Sequence, residues 1–427
     1  MKLFAFGSNG SGQLGIGHTE DVSSPSQCLF ALATKLHDDE IVHIAAGGNH
    51  TLLLTKQGYV YAAGCNSDGR CGPDLQISSR SSSQPNDQES QTENDENLLR
   101  FRRVVLTDSI TGSEVDIFKC VSATWEGSVL VASVRKSNRT DDDKRDDNDD
   151  NDSAYEDRVF VLGSTPKGEL GLGSSVDPVR PVTPGTFIPD FPPEGTRITA
   201  VASGMGHSVA ILSDGAVYGW GASRKGQLGE ALKAQKIVWA PWRVEGVPFK
   251  ATGAVCGREF TVALGQRDRG ELAILGDKAN RWGVLDVPDY LKSLSEPSSG
   301  RAYTDIGASW HGIYVHAAPV ETLQNTSLPA GSLIAWGRND RGQLPPPDLP
   351  SPVKIAVGSE HVVALLQDGS VATFGWGEHG NCGPNTDSRG NVSGMYNTIY
   401  LPDSVYSTGG RISGIGAGCA TSWLIVR

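Results

Sequence analysis

The stretch GSNGSGQLG, residues 7–15, recurs in variant form along the whole chain and decides its fold. Its other full copies begin at Gly64, Gly163, Gly221 and Gly337, and two shortened copies begin at Gly276 and Gly377. A second phrase alternates with it: an apolar strand, the motif Gly-x-x-His and another apolar strand, as in IAAGGNHTLLL at residues 44–54. Clear or weakened copies of this phrase lie around His207, His361, Trp125, Gly257, Trp310 and Gly418. Repeats about 50 to 60 residues apart are typical of propellers and arrays.

The order of the two phrases predicts a closed ring. Each pair of phrases supplies the strands of one antiparallel blade, and a blade can bury its two faces only by stacking on its neighbours. The chain begins in a strand at residues 2–6 with no Gly-x-x-His phrase before it, and it ends in such a phrase at residues 412–426. These two incomplete ends complement each other, so their strands should share one blade and remove an exposed sheet edge. We therefore predict an all-β, seven-bladed β-propeller that forms a single domain over residues 1–427.

Two polar stretches interrupt the repeat, at residues 78–97 and 138–157. Neither has enough apolar surface to offset the entropy of ordering, so both are predicted to be disordered loops. The net charge of the chain is −12, and removing the charges of the two inserts leaves about −1 for the propeller itself. A nearly neutral propeller argues against a broad phosphate-binding surface, and no direct contact with nucleic acid is expected.

The remaining composition places the chain among intracellular proteins. No run of 18 apolar residues is present, and the N-terminus lacks the pattern of a signal peptide. The seven cysteines are odd in number and show no paired spacing, which is typical of reduced thiols in the cytosol. We therefore expect a cytoplasmic protein, present in the nucleus as well, with no membrane contact.

The two phrases, read as GSNGSGQLGIG at residues 7–17, AGGNHTL at 46–52 and GWGASRKGQLG at 219–229, resemble the regulator-of-chromosome-condensation repeat family over the full chain. The segments FAFGSNG at residues 4–10, GWGEHGNCGP at 375–384 and GCATSW at 418–423 are similar to its fungal alpha-tubulin-suppressor, or killer-toxin-insensitivity, branch. This resemblance implies a heterodimer with the small four-cysteine zinc or iron protein of diphthamide biosynthesis. It also implies a supporting role in the diphthamide modification of elongation factor two and, with Elongator, in modification of the tRNA wobble uridine. The two inserts depart from that pattern.

The family resemblance leaves a second function open. Members of the family also include guanine-nucleotide exchange factors for small GTPases and regulators docked on chromatin. The basic N-terminal tail expected of a chromatin-bound exchange factor is missing, because the first strand begins at Lys2. The binding partner of a metalloprotein is therefore the preferred interpretation.

Catalysis is not expected. His50, His207 and His361 hold the same place in separate repeats, and a residue repeated by symmetry is predicted to stabilise its turn. The pair His379 and Cys382 offers two metal ligands without a second pair beside it, so no metal site is predicted. The sequence contains no nucleophile elbow, P-loop or dinucleotide fingerprint, and no cofactor is expected.

The tryptophans identify a candidate binding site. Trp220, Trp336 and Trp376 precede a glycine of the Gly-rich phrase and are predicted to pack in the core. Trp125 and Trp310 instead occupy variable positions of the Gly-x-x-His turn, and in a closed ring all seven turns should surround the axis on one face. Tryptophan is frequent at the centre of protein interfaces. We predict that a partner contacts these two indoles and four residues beside them, Arg258, Glu259, His311 and Glu360. The alternative, in which each indole packs only against a neighbouring blade, stays open.

Overall fold

Seven antiparallel blades of three or four strands form the fold over the described residues, as predicted. The structure is a computed structural model that describes residues 1–31, 39–73, 97–136, 154–164, 167–177, 180–292, 303–317 and 331–427. The first three blades contain β3 (Ile41–Ala46), β4 (His50–Thr55), β5 (Val60–Cys65) and β6 (Asn97–Arg103); β9 (Cys120–Ala123), β10 (Gly127–Arg135) and β11 (Tyr155–Gly163); and β12 (Ile198–Ser203), β13 (His207–Leu212), β14 (Val217–Ala222) and β15 (Ile237–Arg243).

The next three blades follow in chain order. They contain β16 (Gly253–Cys256), β17 (Phe260–Leu264) and β18 (Leu272–Gly276); β19 (Tyr303–Ala308), β20 (Gly312–Ala317) and β21 (Leu333–Gly337); and β22 (Pro352–Val357), β23 (His361–Leu366), β24 (Val371–Trp376) and β25 (Asn391–Ile399). The short elements between blades are the strands β7 (Leu106–Thr107) and β8 (Glu114–Val115), the helices α1 (Asp289–Lys292) and α2 (Asp403–Tyr406), and 3-10 turns at Glu230–Gln235 and Arg267–Arg269.

The seventh blade joins the two ends of the chain. Its strands are β1 (Lys2–Gly7), β2 (Val22–Gln27), β26 (Ile412–Ala417) and β27 (Thr421–Val426), in the spatial order β2-β1-β27-β26. β1 pairs antiparallel with β27 along its whole length, from Lys2 opposite Val426 to Gly7 opposite Thr421. In this pairing β1 and β27 each cover one edge of the other, and those edges would otherwise be free to pair with a strand of another chain.

The ring is closed through the first strand of every blade. β3 contacts β9, β9 contacts β12, and the series continues through β16, β19, β22 and β26 back to β3. These strands line an axial channel of about 400 Å³. Between blades lie apolar clusters in which Trp220 and Trp423 have no solvent exposure and Trp336 is 7% exposed. The predicted core positions of Trp220 and Trp336 are therefore confirmed.

Most of the two predicted inserts, 78–97 and 138–157, lies outside the described residues. The described ends require a correction of their boundaries. Asn97 is the first residue of β6, and Tyr155–Gly163 form β11, so the last residues of the second insert belong to a strand. The carboxylate of Asp157 is buried there, where it accepts hydrogen bonds from Lys119 Nζ at 2.6 Å and from the backbone N–H of Ile198 at 2.7 Å. The charge composition of the insert could not show that Asp157 is buried, because its ion-pair partners are distant in sequence.

No helix among the described residues is long and apolar enough to span a membrane.

Candidate functional site

The turns between the first and second strands of each blade form a ring around the axis. We call them the axial turns: residues 47–49, 124–126, 204–206, 257–259, 309–311, 358–360 and 418–420. Backbone hydrogen bonds join successive turns, for example from Gly48 N to Trp125 O at 2.9 Å and from Trp125 N to Met205 O at 3.0 Å. On the other side of the ring, Trp310 N donates to Ser359 O at 2.8 Å. The prediction that these turns gather on one face is confirmed.

A second ring of loops surrounds the axial turns on the same face. It consists of the Gly-rich phrases, whose first glycine lies against the neighbouring axial turn. Gly64 has a φ of +109°, and a Cβ placed on it would lie 2.4 Å from the carbonyl oxygen of Asn49. Only glycine accepts both this φ and this close approach, which explains why the phrase opens with glycine. We call the axial turns and the Gly-rich loops together the turn face.

Trp125 and Trp310 meet at the centre of the turn face. They belong to the second and fifth blades, and their ring centroids are 5.7 Å apart with the planes tilted by 46°. Both are partly exposed. Trp125 also covers Gly48 of the first blade, where an added Cβ would lie 2.8 Å from the indole. Trp125 thus packs on a neighbouring blade, as the alternative interpretation expects, and it also reaches across the axis to Trp310.

The turn face offers little room for a small molecule at its centre. The cavity that all seven axial turns line has a volume of about 140 Å³, whereas pockets for drug-sized ligands usually measure about 300–1,000 Å³. The two indoles line this cavity and contact each other. This geometry suits contact with a protein surface, because large, partly exposed aromatic groups there can be covered by a partner.

The four charged or polar residues predicted beside the indoles differ in their exposure and in their contacts. The Arg258 guanidinium lies 5.4 Å from the centroid of the Trp310 ring, and Glu259 is exposed. His311 is mostly buried, and its Nδ1 lies 3.2 Å from Glu360 Oε1. Arg258, Glu259, His311 and Trp310 can all present atoms to a partner.

Glu360 is a correction to the predicted contact set, because it is only 3% exposed. Its carboxylate accepts hydrogen bonds from Arg338 Nη1 at 3.0 Å and from Gln343 Nε2 at 2.6 Å, in addition to the contact with His311. Burial acts to raise the pKa of Glu360, but the hydrogen bonds from His311 and Gln343 and the charge of Arg338 outweigh it and lower the pKa. Glu360 therefore anchors the fifth and sixth blades to each other and positions His311 and Arg338.

Five further residues of the turn face were not predicted: Arg281, Trp282, Arg338, Arg341 and Trp376. Arg281 and Trp282 occupy the tip of a β-turn that Asn280 O and Gly283 N close at 2.9 Å, and Arg341 lies at the corresponding tip in the next blade. The signal was present in the sequence, since a large side chain at a turn tip has no reason from blade packing to be there.

Trp376 was predicted to pack in the core, and this prediction is wrong. Phe374, opposite Val362, holds the place that Trp220 holds opposite Ser208 in the third blade. The first glycine of the sixth phrase is Gly375, with a φ of +109°, and not Gly377. Two glycines in the run Gly-Trp-Gly allowed two registers, and the strand pairing selects the one that places Trp376 on the turn face.

The repeated histidines are structural, as predicted, and each joins two blades. His50 Nε2 lies 2.9 Å from Ser128 Oγ, and the Ser128 hydroxyl donates to Arg70 O at 2.7 Å. His361 makes the same 2.9 Å contact with Ser422 Oγ. Because the serine proton is used on a backbone carbonyl, Nε2 must be the protonated nitrogen of a neutral imidazole. Burial lowers the pKa of His50 to about 3 and that of His361 to about 4, which agrees with neutral rings.

The described residues contain no group of three or more potential metal ligands. All seven cysteines are free. The pair that sequence reasoning considered is used in other ways, since His379 Nδ1 lies 2.7 Å from Asp21 Oδ2 and burial raises the pKa of the Cys382 thiol far above its ordinary range.

Comparison with known proteins places these features in a family. Models of the regulator of chromosome condensation (RCC1) repeat match residues 2–54 and 214–264, and in a second form residues 41–70, 198–227 and 353–381. An RCC1 repeat-containing protein of Schizosaccharomyces pombe is 30% identical over 100% of this chain and 99% of its own length.

A mouse protein, secretion-regulating guanine nucleotide exchange factor, is 26% identical over 91% of this chain and 76% of its own length. The crystal structure of Prp20p from Saccharomyces cerevisiae superposes with a TM-score of 0.62 at 17% identity, over 99% of this chain and 90% of that chain. The full-length relative, the repeat matches and the shared propeller agree. The chain belongs to the regulator of chromosome condensation (RCC1) repeat family.

Proposed function

We propose that the protein is a non-catalytic binding partner and that its turn face docks another protein. The observation that carries this proposal is the pair Trp125 and Trp310, partly exposed and in contact at the centre of the face. Aromatic anchors of this kind, surrounded by polar residues, supply most of the binding energy at many protein interfaces. Membership in a family that consists mostly of binding and exchange-factor proteins supports the proposal.

The partner that we propose is the small four-cysteine metal protein of diphthamide biosynthesis. The support is the resemblance of residues 4–10, 375–384 and 418–423 to the fungal alpha-tubulin-suppressor branch. All three segments contribute to the turn face, because Ser8 N donates to Ala420 O and Trp376 N donates to Glu360 O. In this role the protein would support diphthamide formation on elongation factor two and Elongator-dependent modification of tRNA.

Calorimetric titration of the purified protein with the metal-loaded four-cysteine protein tests both parts of the proposal. Trp125→Ala and Trp310→Ala should each weaken binding by about 2 kcal/mol, close to thirtyfold, because each removes an indole from the centre of the interface. Both variants should keep the melting temperature close to that of the wild type, since the ring of backbone hydrogen bonds remains.

Trp242→Ala is the matched control. Trp242 is 59% exposed on β15, the outermost strand of the third blade, and should be indifferent to the partner. Absence of any binding by the wild type would reject the proposed partner. If the wild type binds and Trp125→Ala and Trp310→Ala bind as tightly as Trp242→Ala does, the proposed face is wrong. If the wild type does not bind, affinity purification with mass spectrometry identifies what the protein binds.

The alternative function is guanine-nucleotide exchange on a small GTPase. The 26% identity to the secretion-regulating guanine nucleotide exchange factor of mouse favours it. The test is release of a fluorescent GDP analogue from a panel of purified small GTPases. Acceleration by the wild-type protein that Trp310→Ala abolishes would support exchange activity on the same face.

A further inference from the structure

Three arginines on one sector of the turn face rest on indole rings. Arg258 lies 5.4 Å from the Trp310 centroid, Arg281 lies 4.9 Å from that of Trp282, and Arg341 lies 5.1 Å from that of Trp376. Over the part of the chain that the structure describes, none of the three is in an ion pair with a carboxylate. We call Arg258, Arg281 and Arg341 the stacked arginines.

Arg338 in the same sector provides the contrast. It also lies over Trp282, at 4.8 Å, but its guanidinium pairs with Asp340 at 2.6 Å and with Glu360 at 3.0 Å. Its charge is therefore satisfied within the protein. A stacked arginine is held by the face of an aromatic ring, which leaves the N–H donors along the edge of its guanidinium plane available.

The sector is continuous across the fourth, fifth and sixth blades. The Trp282 ring lies 5.8 Å from that of His311, the neighbour of Trp310 in the chain, and His311 contacts Glu360. Trp376 also lies next to Glu360, because its backbone N–H donates to Glu360 O at 2.9 Å. Indoles and guanidinium edges thus alternate over one surface, beside the Trp125–Trp310 pair.

We propose that this sector recognises a short acidic segment of a partner protein, in which carboxylates alternate with apolar side chains. Each carboxylate would take paired N–H donors from one stacked arginine, and the apolar side chains would cover the indoles. The surroundings favour a protein over a nucleic acid. Glu259, Asp340 and Glu378 are exposed in the same sector and would repel an unbroken row of phosphates, whereas a peptide whose carboxylates are separated by apolar residues can place an apolar side chain beside each of them. This inference refines the proposed function by giving the chemistry of the partner segment.

The first experiment uses a fluorescein-labelled peptide of twelve residues in which Glu and Asp alternate with Leu and Phe. Fluorescence anisotropy with the purified full chain measures its affinity at several salt concentrations. Arg258→Gln, Arg281→Gln and Arg341→Gln should each weaken binding about tenfold, because each removes a charge-assisted pair of hydrogen bonds. The affinity of each variant should also depend less steeply on salt. Arg243→Gln, on the outer strand β15, is the matched control and should bind as the wild type does.

Three comparisons test this proposal further. A twelve-residue peptide with Gln and Asn in place of the acids should not bind, and twelve-residue oligothymidylate should bind more weakly than the acidic peptide. Arg→Lys at the same three positions keeps the charge and should recover only part of the affinity, since an ammonium lacks the planar pair of donors. Gln variants that fold and bind the acidic peptide as the wild type does, or a preference for the oligonucleotide, would overturn the inference.

The same variants separate this inference from the proposed function. If the four-cysteine protein fails to bind the wild type, the peptide titration still tests the sector. If that protein binds and the three Gln variants bind it equally well, the proposed function stands and the acidic-segment inference is wrong.

Discussion

Replacement of Gly64 by alanine should be among the most damaging small changes in the protein. Gly64 has a φ of +109°, and its added methyl group would lie 2.4 Å from Asn49 O and 2.7 Å from the Cα of His50. Both neighbours are backbone atoms, so no side chain can move aside. The strained φ costs about 1–2 kcal/mol, and forcing the turn away costs about 1–3 kcal/mol. Loss of the 2.8 Å hydrogen bond from Cys65 N to Asn49 O adds about 1 kcal/mol.

The expected total for Gly64→Ala is about 3–6 kcal/mol, a large share of the stability of a typical domain. Two glycines separate the contributions. Gly69 has a φ of +77°, and a Cβ added to it would have no atom within 4 Å. Gly69→Ala should therefore cost only the strain of an alanine at positive φ, about 1–2 kcal/mol. Gly10 has neither a positive φ nor a close neighbour, and Gly10→Ala should lie within about 1 kcal/mol of the wild type.

Urea unfolding followed by tryptophan fluorescence measures this series. The midpoints should fall in the order Gly10→Ala, Gly69→Ala, Gly64→Ala, with the largest step between the last two. Equal midpoints for Gly64→Ala and Gly69→Ala would refute the reasoning, because the close approach of backbone to backbone would then contribute nothing.

Three other outcomes are expected. Burial lowers the pKa of His50 to about 3 and those of His207 and His361 to about 4, whereas in the unfolded chain each titrates near 6.5. Protonation therefore favours the unfolded chain. The free energy of unfolding should be at its full value above pH 6.5 and should fall below it, by about 2 kcal/mol per histidine at pH 5. Melting curves from pH 7.5 to 4.5 check this, and His361→Gln, which does not titrate, should show a shallower fall. Trp336→Ala should lower the free energy of unfolding by about 3–5 kcal/mol, because it empties a buried site and leaves Val284 O without its 2.8 Å hydrogen bond; unchanged chemical denaturation would contradict this. Deletion of residues 1–7 removes β1 and should cause aggregation or loss of cooperative unfolding, which light scattering and calorimetry detect; unchanged melting would show that β1 is dispensable.

The fold could be predicted almost completely because each repeat carries its own local reason for its shape. A glycine stands where the backbone must approach an axial turn, and a histidine stands where one blade meets the next. These requirements act over a few residues and recur, so a weak copy such as the turn at Trp310 is identified by its neighbours in the series. Prediction failed where the local pattern allowed two answers, as in the run Gly375-Trp376-Gly377, whose register depends on the pairing of β24 with β23.

The candidate site could be predicted only in part. Trp125 and Trp310 were identified as a pair because both break the pattern of the axial turns. Glu360 breaks the pattern in the same way, yet its carboxylate turns inward to Arg338 and Gln343 of the preceding blade. Exposure of a turn residue depends on the loops that fold over it, and those loops come from other repeats.

By itself, the sequence determined the blades, their number and the face on which the turns gather, since alternating strands, obligatory glycines and repeated histidines are local requirements. The tertiary structure alone decided that Trp125 reaches Trp310 from three blades away and that Arg258 and Arg341 each rest on an indole of the next blade. Such contacts depend on the diameter of the closed ring and on the path of each loop over its neighbours. No single repeat contains that information, because it arises only when all seven blades close around one axis.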